Sequence, residues 1–135
     1  MPKTQTMIHP DTGEVLHRDV RTVTVTFKSR TRKVEQPGWY PAKGTNGVFS
    51  GRDMAAADMA LTEIKTEIRE ETAKKVAAIR KRLKLSQRKA GLVLGGGARS
   101  FQRYESGEVE PSEPMLNLLT VLDHAPKLLK VLTAS

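Results

Sequence analysis

The segment spanning residues 83–107 constrains the fold of this chain more than any other, because two short helical patterns meet in it at a glycine turn. Residues 95–97 are all glycine, and consecutive glycines disfavour a helix while permitting a tight turn. In the second helical pattern Phe101 and Tyr104 are three residues apart, so we expect both to pack inward. Two short helices joined by such a turn predict a helix-turn-helix.

Positive charge is concentrated around this segment. Residues 72–104 contain ten Lys or Arg side chains and no acidic one, in a chain whose net charge is +8. A basic block of this kind favours a polyanionic partner. Together with the helix-turn-helix it predicts binding to double-stranded DNA.

Arg99 and Arg103 are four residues apart, on the helix face opposite the aromatic pair, with Ser100 and Gln102 beside them. An arginine can hold guanine O6 and N7 with two parallel hydrogen bonds. We therefore predict that Arg99 and Arg103 read bases and that Ser100 or Gln102 assists them. A phosphate contact or a solvated charge is the alternative for each arginine.

The helix before the turn opens with Ser86, Gln87, Arg88 and Lys89. Ser86 is a good N-cap, and the free N–H groups of a helix N-terminus suit a phosphate of the DNA backbone. We predict that all four bind DNA and that Gln87 or Ser86 contacts a phosphate, while Lys81, Lys84 and the rest of the basic block would add affinity that does not depend on sequence.

Residues 72–135 read as five short helices. Gly107 is expected to end the third, and Ser112 to cap the fourth. The fourth and fifth carry more leucines than a monomer of this size must bury, so they predict a homodimer through this domain; an ordinary core position is an equal alternative for each leucine alone. These leucines are Leu118, Leu122, Leu128 and Leu132.

The N-terminal part reads as β structure. Val23, Val25 and Phe27 alternate with threonines, which is the period of a strand with one apolar and one polar face. Turn signals flank this strand at residues 11–13 and at residues 37–38. From residue 52 the pattern becomes helical, but the sequence does not decide whether residues 53–83 form one helix or two.

These patterns predict an α+β protein in three parts. Residues 1–52 form a small β-rich module, residues 53–71 an acidic helix or linker, and residues 72–135 a helix-turn-helix domain. The three parts are basic, acidic and basic in turn.

The composition excludes several classes of site. The chain has no cysteine, so it has neither disulfides nor thiolate metal sites, and we expect a cytoplasmic protein without a metal. The three histidines are scattered, so we expect them on the surface or at caps, and we expect no catalytic residues and no cofactor. No segment predicts a membrane helix. No Gly-Lys-Ser/Thr follows the glycine turn, so it is not a nucleotide-binding loop.

The sequence from about residue 76 onward resembles the DNA-binding half of MqsA-type antitoxins, which are relatives of the phage-repressor (Xre/Cro-like) helix-turn-helix proteins. The resemblance lies in RKRLKLSQRKAGLVLGGGARSFQRYESGEVEP and in LLTVLDHAPKLLKVL, and it covers roughly 60 of 135 residues. In that family the positions of Arg99 and Arg103 read operator bases, and the first is often Asn. The resemblance implies that Arg99 prefers guanine over adenine.

The N-terminal half is a weaker match to the same family. There the family has a zinc-ribbon-like unit with two Cys-x-x-Cys pairs, and the segments matching them here, residues 9–13 and 40–44, contain no cysteine. The resemblance therefore implies a strand-rich unit without zinc. It also implies that residues 1 to about 65 bind a small ribonuclease toxin.

Two functional hypotheses follow from these observations. The first is the antitoxin of a type II toxin–antitoxin pair that neutralises a ribonuclease toxin and represses its own operon at a palindromic operator. The second is a stand-alone transcriptional repressor whose N-terminal module dimerises or senses a ligand. An enzyme or an RNA-binding protein is a third class, which the absence of a catalytic constellation disfavours.

Overall fold

The structure, a computed structural model, describes residues 5–44 and 46–134. A three-stranded antiparallel sheet is followed by five α-helices, which confirms the predicted α+β class. The strands are β1 (Thr6–Ile8), β2 (Val15–Phe27) and β3 (Arg30–Pro41). The helices are α1 (Ala55–Arg82), α2 (Gln87–Leu94), α3 (Ser100–Ser106), α4 (Glu113–His124) and α5 (Leu129–Thr133), with a 3₁₀ turn at Pro126–Leu128 before α5. The chain divides into two compact units, Met1–Lys65 and Thr66–Ser135.

In the first unit β2 is the central strand and pairs with β3 from Leu16 to Phe27. The predicted alternation is confirmed, since Val23, Val25 and Phe27 are half-buried and the threonines between them are exposed. A two-residue turn, Lys28 and Ser29, joins the strands, and Lys28 adopts the left-handed φ of 55°.

The turn predicted at residues 37–38 is wrong, because Pro37 and Gly38 lie within β3. Trp39 directs its N–H away from β2, to the carbonyl of Val48. The backbone of Pro37 has the same orientation, so the lack of an N–H group at this position costs no hydrogen bond to β2. A Cβ on Gly38 would lie 2.6 Å from the ring of Phe49, so glycine here makes room for an aromatic side chain.

The turn predicted at residues 11–13 is present, and His9 organises it. The imidazole Nδ1 accepts the backbone N–H groups of Asp11 and Thr12, at 3.0 and 3.3 Å. His9 is 6% exposed, so it is a buried capping group and not a surface residue. In the described parts of the chain, no group of three acidic or histidine side chains is placed to hold a metal ion.

Residues 55–82 form one helix, which answers the question that the sequence left open. The acidic residues Glu67, Glu70 and Glu71 lie inside α1, where the intrahelical hydrogen bonds continue without a break. Just before the helix, Arg18 of β2 donates to both carboxylate oxygens of Asp53. Ile64, near the end of the first unit, is buried.

The second unit has its own apolar core, built from the last turns of α1 and from α2, α3 and α4. The predicted caps are confirmed: Ser86 accepts the N–H of Lys89, Ser112 accepts that of Met115, and Gly107 ends α3 with a left-handed φ of 81°. Among the described residues, no helix is long and apolar enough to cross a membrane. The core residues are Val76, Ile79, Leu83, Leu85, Ala90, Leu94, Phe101, Leu119 and Leu122.

Candidate nucleic-acid interface

The turn between α2 and α3 depends on its glycines. Gly95, Gly96 and Gly97 have φ values of 112°, 93° and 98°, a region that other residues rarely adopt. A Cβ on Gly91, inside α2, would lie only 1.8 Å from the carbonyl oxygen of Gly97. The chain can therefore fold back against α2 only because position 91 has no side chain.

Ser100, the first residue of α3, is engaged with this turn. Its hydroxyl lies 2.9 Å from the carbonyl oxygen of Gly97 and 3.4 Å from that of Gly95, and it can donate its one hydrogen to either. The sequence suggested Ser100 as a helper in base reading. In the structure its hydroxyl proton fixes the turn to the start of α3, and its role in base reading stays a prediction.

The inner face of α3 is anchored by aromatic packing and by an ion pair. Phe101 is fully buried, and its ring meets that of Tyr104 edge to face at 5.3 Å. Glu105 accepts two hydrogen bonds from Arg80 of α1, at 2.7 and 2.8 Å, and a third from the amide of Gln87 at 3.2 Å. This network connects the end of α1, the start of α2 and α3.

The Arg80–Glu105 pair is well shielded, with side chains only 12% and 9% exposed. The hydrogen bonds to Glu105 raise the pKa of Arg80 above its ordinary value. Arg80 also donates to the carbonyl of Leu85. Although it belongs to the basic block, Arg80 is thus committed to the fold and is not available to a phosphate.

The outer face of α3 carries the predicted base-reading residues. Arg99, Gln102 and Arg103 are exposed, and Arg99 is the N-cap residue, so it precedes the first turn of the helix. Within residues 5–44 and 46–134, no hydrogen bond or ion pair engages the side chain of Arg99 or Arg103. The glycine turn and this face border an open depression of about 430 Å³.

The other predicted DNA-binding residues lie at the N-terminus of α2. Arg88 and Lys89 are exposed, while Ser86 uses its side-chain oxygen as the cap. Gln87 is half-buried, and its amide nitrogen donates to Glu105. Because the Ser86 cap accepts only the N–H of Lys89, the backbone N–H groups of Gln87 and Arg88 have no intrahelical partner.

Most of the basic block is exposed. Arg82 is held by Asp123 of α4 in a solvent-facing pair that lowers the pKa of Asp123 and raises that of Arg82. The eight remaining cations, which are all exposed, are Lys74, Lys75, Lys81, Lys84, Arg88, Lys89, Arg99 and Arg103. Four of these eight cations belong to α2, to α3 or to its N-cap, and the other four lie on the last turns of α1 or just after it.

Sequence reasoning missed two residues that build this surface. Gly91 was not singled out, although a lone glycine within a helical pattern is a signal of close backbone approach. Glu105 was also missed, because its partner Arg80 is 25 residues away in the chain and no local pattern connects them.

The sequence profile of a family described as the antitoxin component of a bacterial toxin–antitoxin system, MqsA, matches residues 9–133. The chain belongs to the MqsA antitoxin family. The match includes both units, so family membership does not depend on the helical domain alone.

One curated relative is Antitoxin MqsA of Escherichia coli (strain K12), with 43% identity over 54 residues. The aligned part covers 40% of this chain and 41% of that protein. The chain is thus an MqsA-type antitoxin by family.

Proposed function

We propose that this MqsA-family protein neutralises a small ribonuclease toxin through its first unit and represses its own operon through its second. It would act by binding and not by catalysis. The proposal rests above all on family membership over residues 9–133, and the DNA-binding part rests on the exposed arginines of α3. We infer a toxin partner because the family is described as the antitoxin component of a bacterial toxin–antitoxin system.

The second unit suits operator DNA in its geometry and its charge. Helix α3 is fixed from behind by Phe101 and Glu105, while Arg99 and Arg103 remain exposed to reach base edges in the major groove. Arg88 and Lys89 and the N-terminus of α2 would contact the phosphates beside it. Guanine is the base that arginine suits best.

The surface formed by α4 and α5 suits a second copy of the chain. It contains an apolar depression of about 290 Å³ between the two helices. Val121, Leu128 and Val131 line it together and are 50%, 47% and 70% exposed, so they form one contiguous apolar patch and not scattered apolar residues. A dimer through this surface would place two copies of α3 on a palindromic operator, about 34 Å apart. The lining residues are Leu118, Val121, Leu122, Leu128, Val131 and Leu132.

The proposal is tested in a cell and with purified protein. The open reading frame adjacent to the gene is induced with and without this chain, and growth and co-purification are measured. We expect growth arrest by the neighbour alone, rescue by this chain, and a stable complex of the two. If no neighbour is toxic and nothing co-purifies, the antitoxin role is wrong and a stand-alone repressor is the better description.

Operator binding is tested separately with the DNA upstream of the gene. The double variant Arg99→Ala/Arg103→Ala should lose its preference for that DNA over an unrelated duplex in moderate salt. An unchanged preference would show that α3 is not the reading helix.

A further inference from the structure

The two edges of the sheet differ in how they are protected. The outer edge of β3 is covered at Trp39 by Val48, which exchanges two backbone hydrogen bonds with it, at 2.9 and 2.8 Å. Two residues further along that edge, Pro37 offers no N–H at all. At Thr31, Lys33 and Glu35 the backbone groups of this edge also point outward without a backbone partner among the described residues. The charged side chains of Arg32, Lys33 and Glu35 discourage strand pairing there.

Within residues 5–44 and 46–134, most of the other edge, that of β2, has no neighbouring strand. Strand β1 pairs with β2 only at Val15, Leu16 and His17, and Arg18 donates its N–H to the carbonyl of Gln5. Because the direction of the backbone groups alternates along a strand, Val20, Thr22, Thr24 and Thr26 also point their N–H and C=O groups to this side.

The backbone N–H of Val20, the first of these four residues, already has a hydrogen-bond partner. The carboxylate of Asp19 accepts the N–H of Val20 at 2.8 Å. For Thr22, Thr24 and Thr26, no backbone partner lies on this side among residues 5–44 and 46–134. We call residues 22–26 of β2 the open edge.

The open edge lacks the devices by which proteins discourage strand pairing. Its five residues, Thr-Val-Thr-Val-Thr, are all β-branched, and they include no proline, glycine or charged side chain. On one face the threonines are exposed, and on the other Val23 and Val25 are half-buried. A sheet edge of this kind is suited to accept another strand.

We propose that the open edge of β2 is where the toxin binds, by adding an extended strand of its own to the sheet. This inference rests on the proposed function. Main-chain hydrogen bonds at Thr22, Thr24 and Thr26 would supply the pairing. The side chains of Val23 and Val25 would meet apolar groups of the added strand.

A second copy of this chain is a poor occupant. Residues 22–35, which comprise the open edge, the turn and the segment of β3 paired with it, contain four Lys or Arg side chains and one Glu. Pairing two copies edge to edge would bring these two basic hairpins together, and like charges across a sheet are destabilising. A partner strand without a basic cluster beside it carries no such penalty.

The directly opposed pair Thr24 and Lys33 offers a matched test. Each points its N–H away from the β2–β3 hairpin, Thr24 to the open edge and Lys33 to the outer edge of β3. Proline at either position removes one N–H without breaking a bond between β2 and β3. Lys33→Gln accounts separately for the loss of charge in Lys33→Pro.

We expect Thr24→Pro to weaken the complex with the co-purified toxin at least about tenfold, because a pairing N–H is lost and the ring obstructs the edge. Lys33→Pro should bind as Lys33→Gln does. Far-UV circular dichroism checks that both proline variants keep the sheet.

Amide hydrogen exchange gives an independent measurement on the unmodified chain. The amides of Thr22, Thr24 and Thr26 should exchange fast in the free protein and slowly in the complex. If they are protected in the free protein at high concentration, the occupant is a second copy and the proposal is wrong.

These experiments distinguish failure of the docking site from failure of the antitoxin role. A toxin complex that is insensitive to Thr24→Pro and leaves these three amides unprotected overturns the docking site and leaves the antitoxin role standing. A wild-type chain that binds no toxin overturns the antitoxin role, and the docking site falls with it.

Discussion

Glu105 of α3 receives the guanidinium of Arg80 from α1 with both of its carboxylate oxygens. The pair is shielded from water, and the amide of Gln87 completes it from α2. Because both charges are shielded, a substitution that removes one of them leaves the other without a counter-charge. The orientation of the outer face of α3 therefore depends on a contact on its inner face.

Glu105→Gln should destabilise the second unit by about 3–5 kcal/mol, since it leaves a shielded arginine without a counter-charge. The measurement is thermal unfolding followed by far-UV circular dichroism. Asp123→Asn is the matched control, because it breaks a similar two-bond pair with Arg82 that faces solvent. Equal effects of the two substitutions would contradict the importance of shielding.

Gly91→Ala should destabilise the same unit by about 1–3 kcal/mol, because the added methyl group collides with the carbonyl of Gly97. Operator binding should fall with it. Leu92→Ala, at a 60% exposed position of the same helix, should change stability by no more than about 0.5 kcal/mol. A stable Gly91→Ala protein would mean that the turn can move away from α2.

Arg99→Ala and Lys89→Ala should weaken operator binding in different ways. Loss of Arg99 should remove about 1–3 kcal/mol of discrimination at one base pair, because it is assigned to a base edge. Loss of Lys89 should weaken binding to all sequences alike and reduce the slope of log K against log salt by about 1, as expected for a phosphate contact. Titrations of operator and scrambled duplexes at several salt concentrations distinguish the two.

Val131→Glu should convert the proposed dimer to a monomer, because it places a charge at the rim of the apolar depression between α4 and α5. Its side chain is 70% exposed, so the fold of the unit should survive. Lys130→Glu, also exposed but outside the depression, is the control. Molar mass is measured by light scattering after size-exclusion chromatography, and a Val131→Glu protein that remains dimeric would place the self-contact elsewhere.

Asp53 should make the stability of the first unit depend on pH. The hydrogen bonds from Arg18, and a further one from the backbone of Ser50, lower its pKa from 3.8 to about 2. The unfolded chain therefore takes up the proton first, so the stabilisation is complete above about pH 4 and is lost as the pH falls toward 2.

Asp53→Asn should remove this dependence. The single Trp39 reports on the same site, because the guanidinium of Arg18 lies 5.3 Å from its ring. Unfolding followed by Trp39 fluorescence should show wild type more stable than the variant at pH 6, with the difference shrinking between pH 4 and 2. A difference that does not change with pH would exclude the Arg18–Asp53 pair as its source.

Those parts of the fold that depend on local pattern were predictable. The alternation in β2 and the caps Ser86, Gly107 and Ser112 are determined by neighbouring residues, and the structure has them as expected. Strand β3 was not predicted, because Pro37 and Gly38 signal a turn wherever their surroundings are unknown. The strand continues because the backbone nitrogen of Pro37 faces away from β2 and because the ring of Phe49 packs against Gly38, and both contacts exist only in the folded chain.

In the candidate site, too, features set by local spacing were predictable and contacts between distant segments were not. The exposure of Arg99 and Arg103 follows from helical spacing, and the structure has both exposed. The engagement of Ser100 with the glycine turn and of Gln87 with Glu105 depends on chain segments that meet only after folding. Their assignment to DNA stays a prediction.

Helix α3 separates residues that maintain the structure from residues that face outward. Ser100, Phe101, Tyr104 and Glu105 hold it in place, whereas the side chains of Arg99 and Arg103 have no partner within the described parts of the chain. Mutation at the two arginines thus carries little risk of unfolding the protein. If they read the operator as proposed, duplicated copies of such a system could diverge to recognise different promoters while keeping one scaffold, and so remain insulated from each other within a single cell.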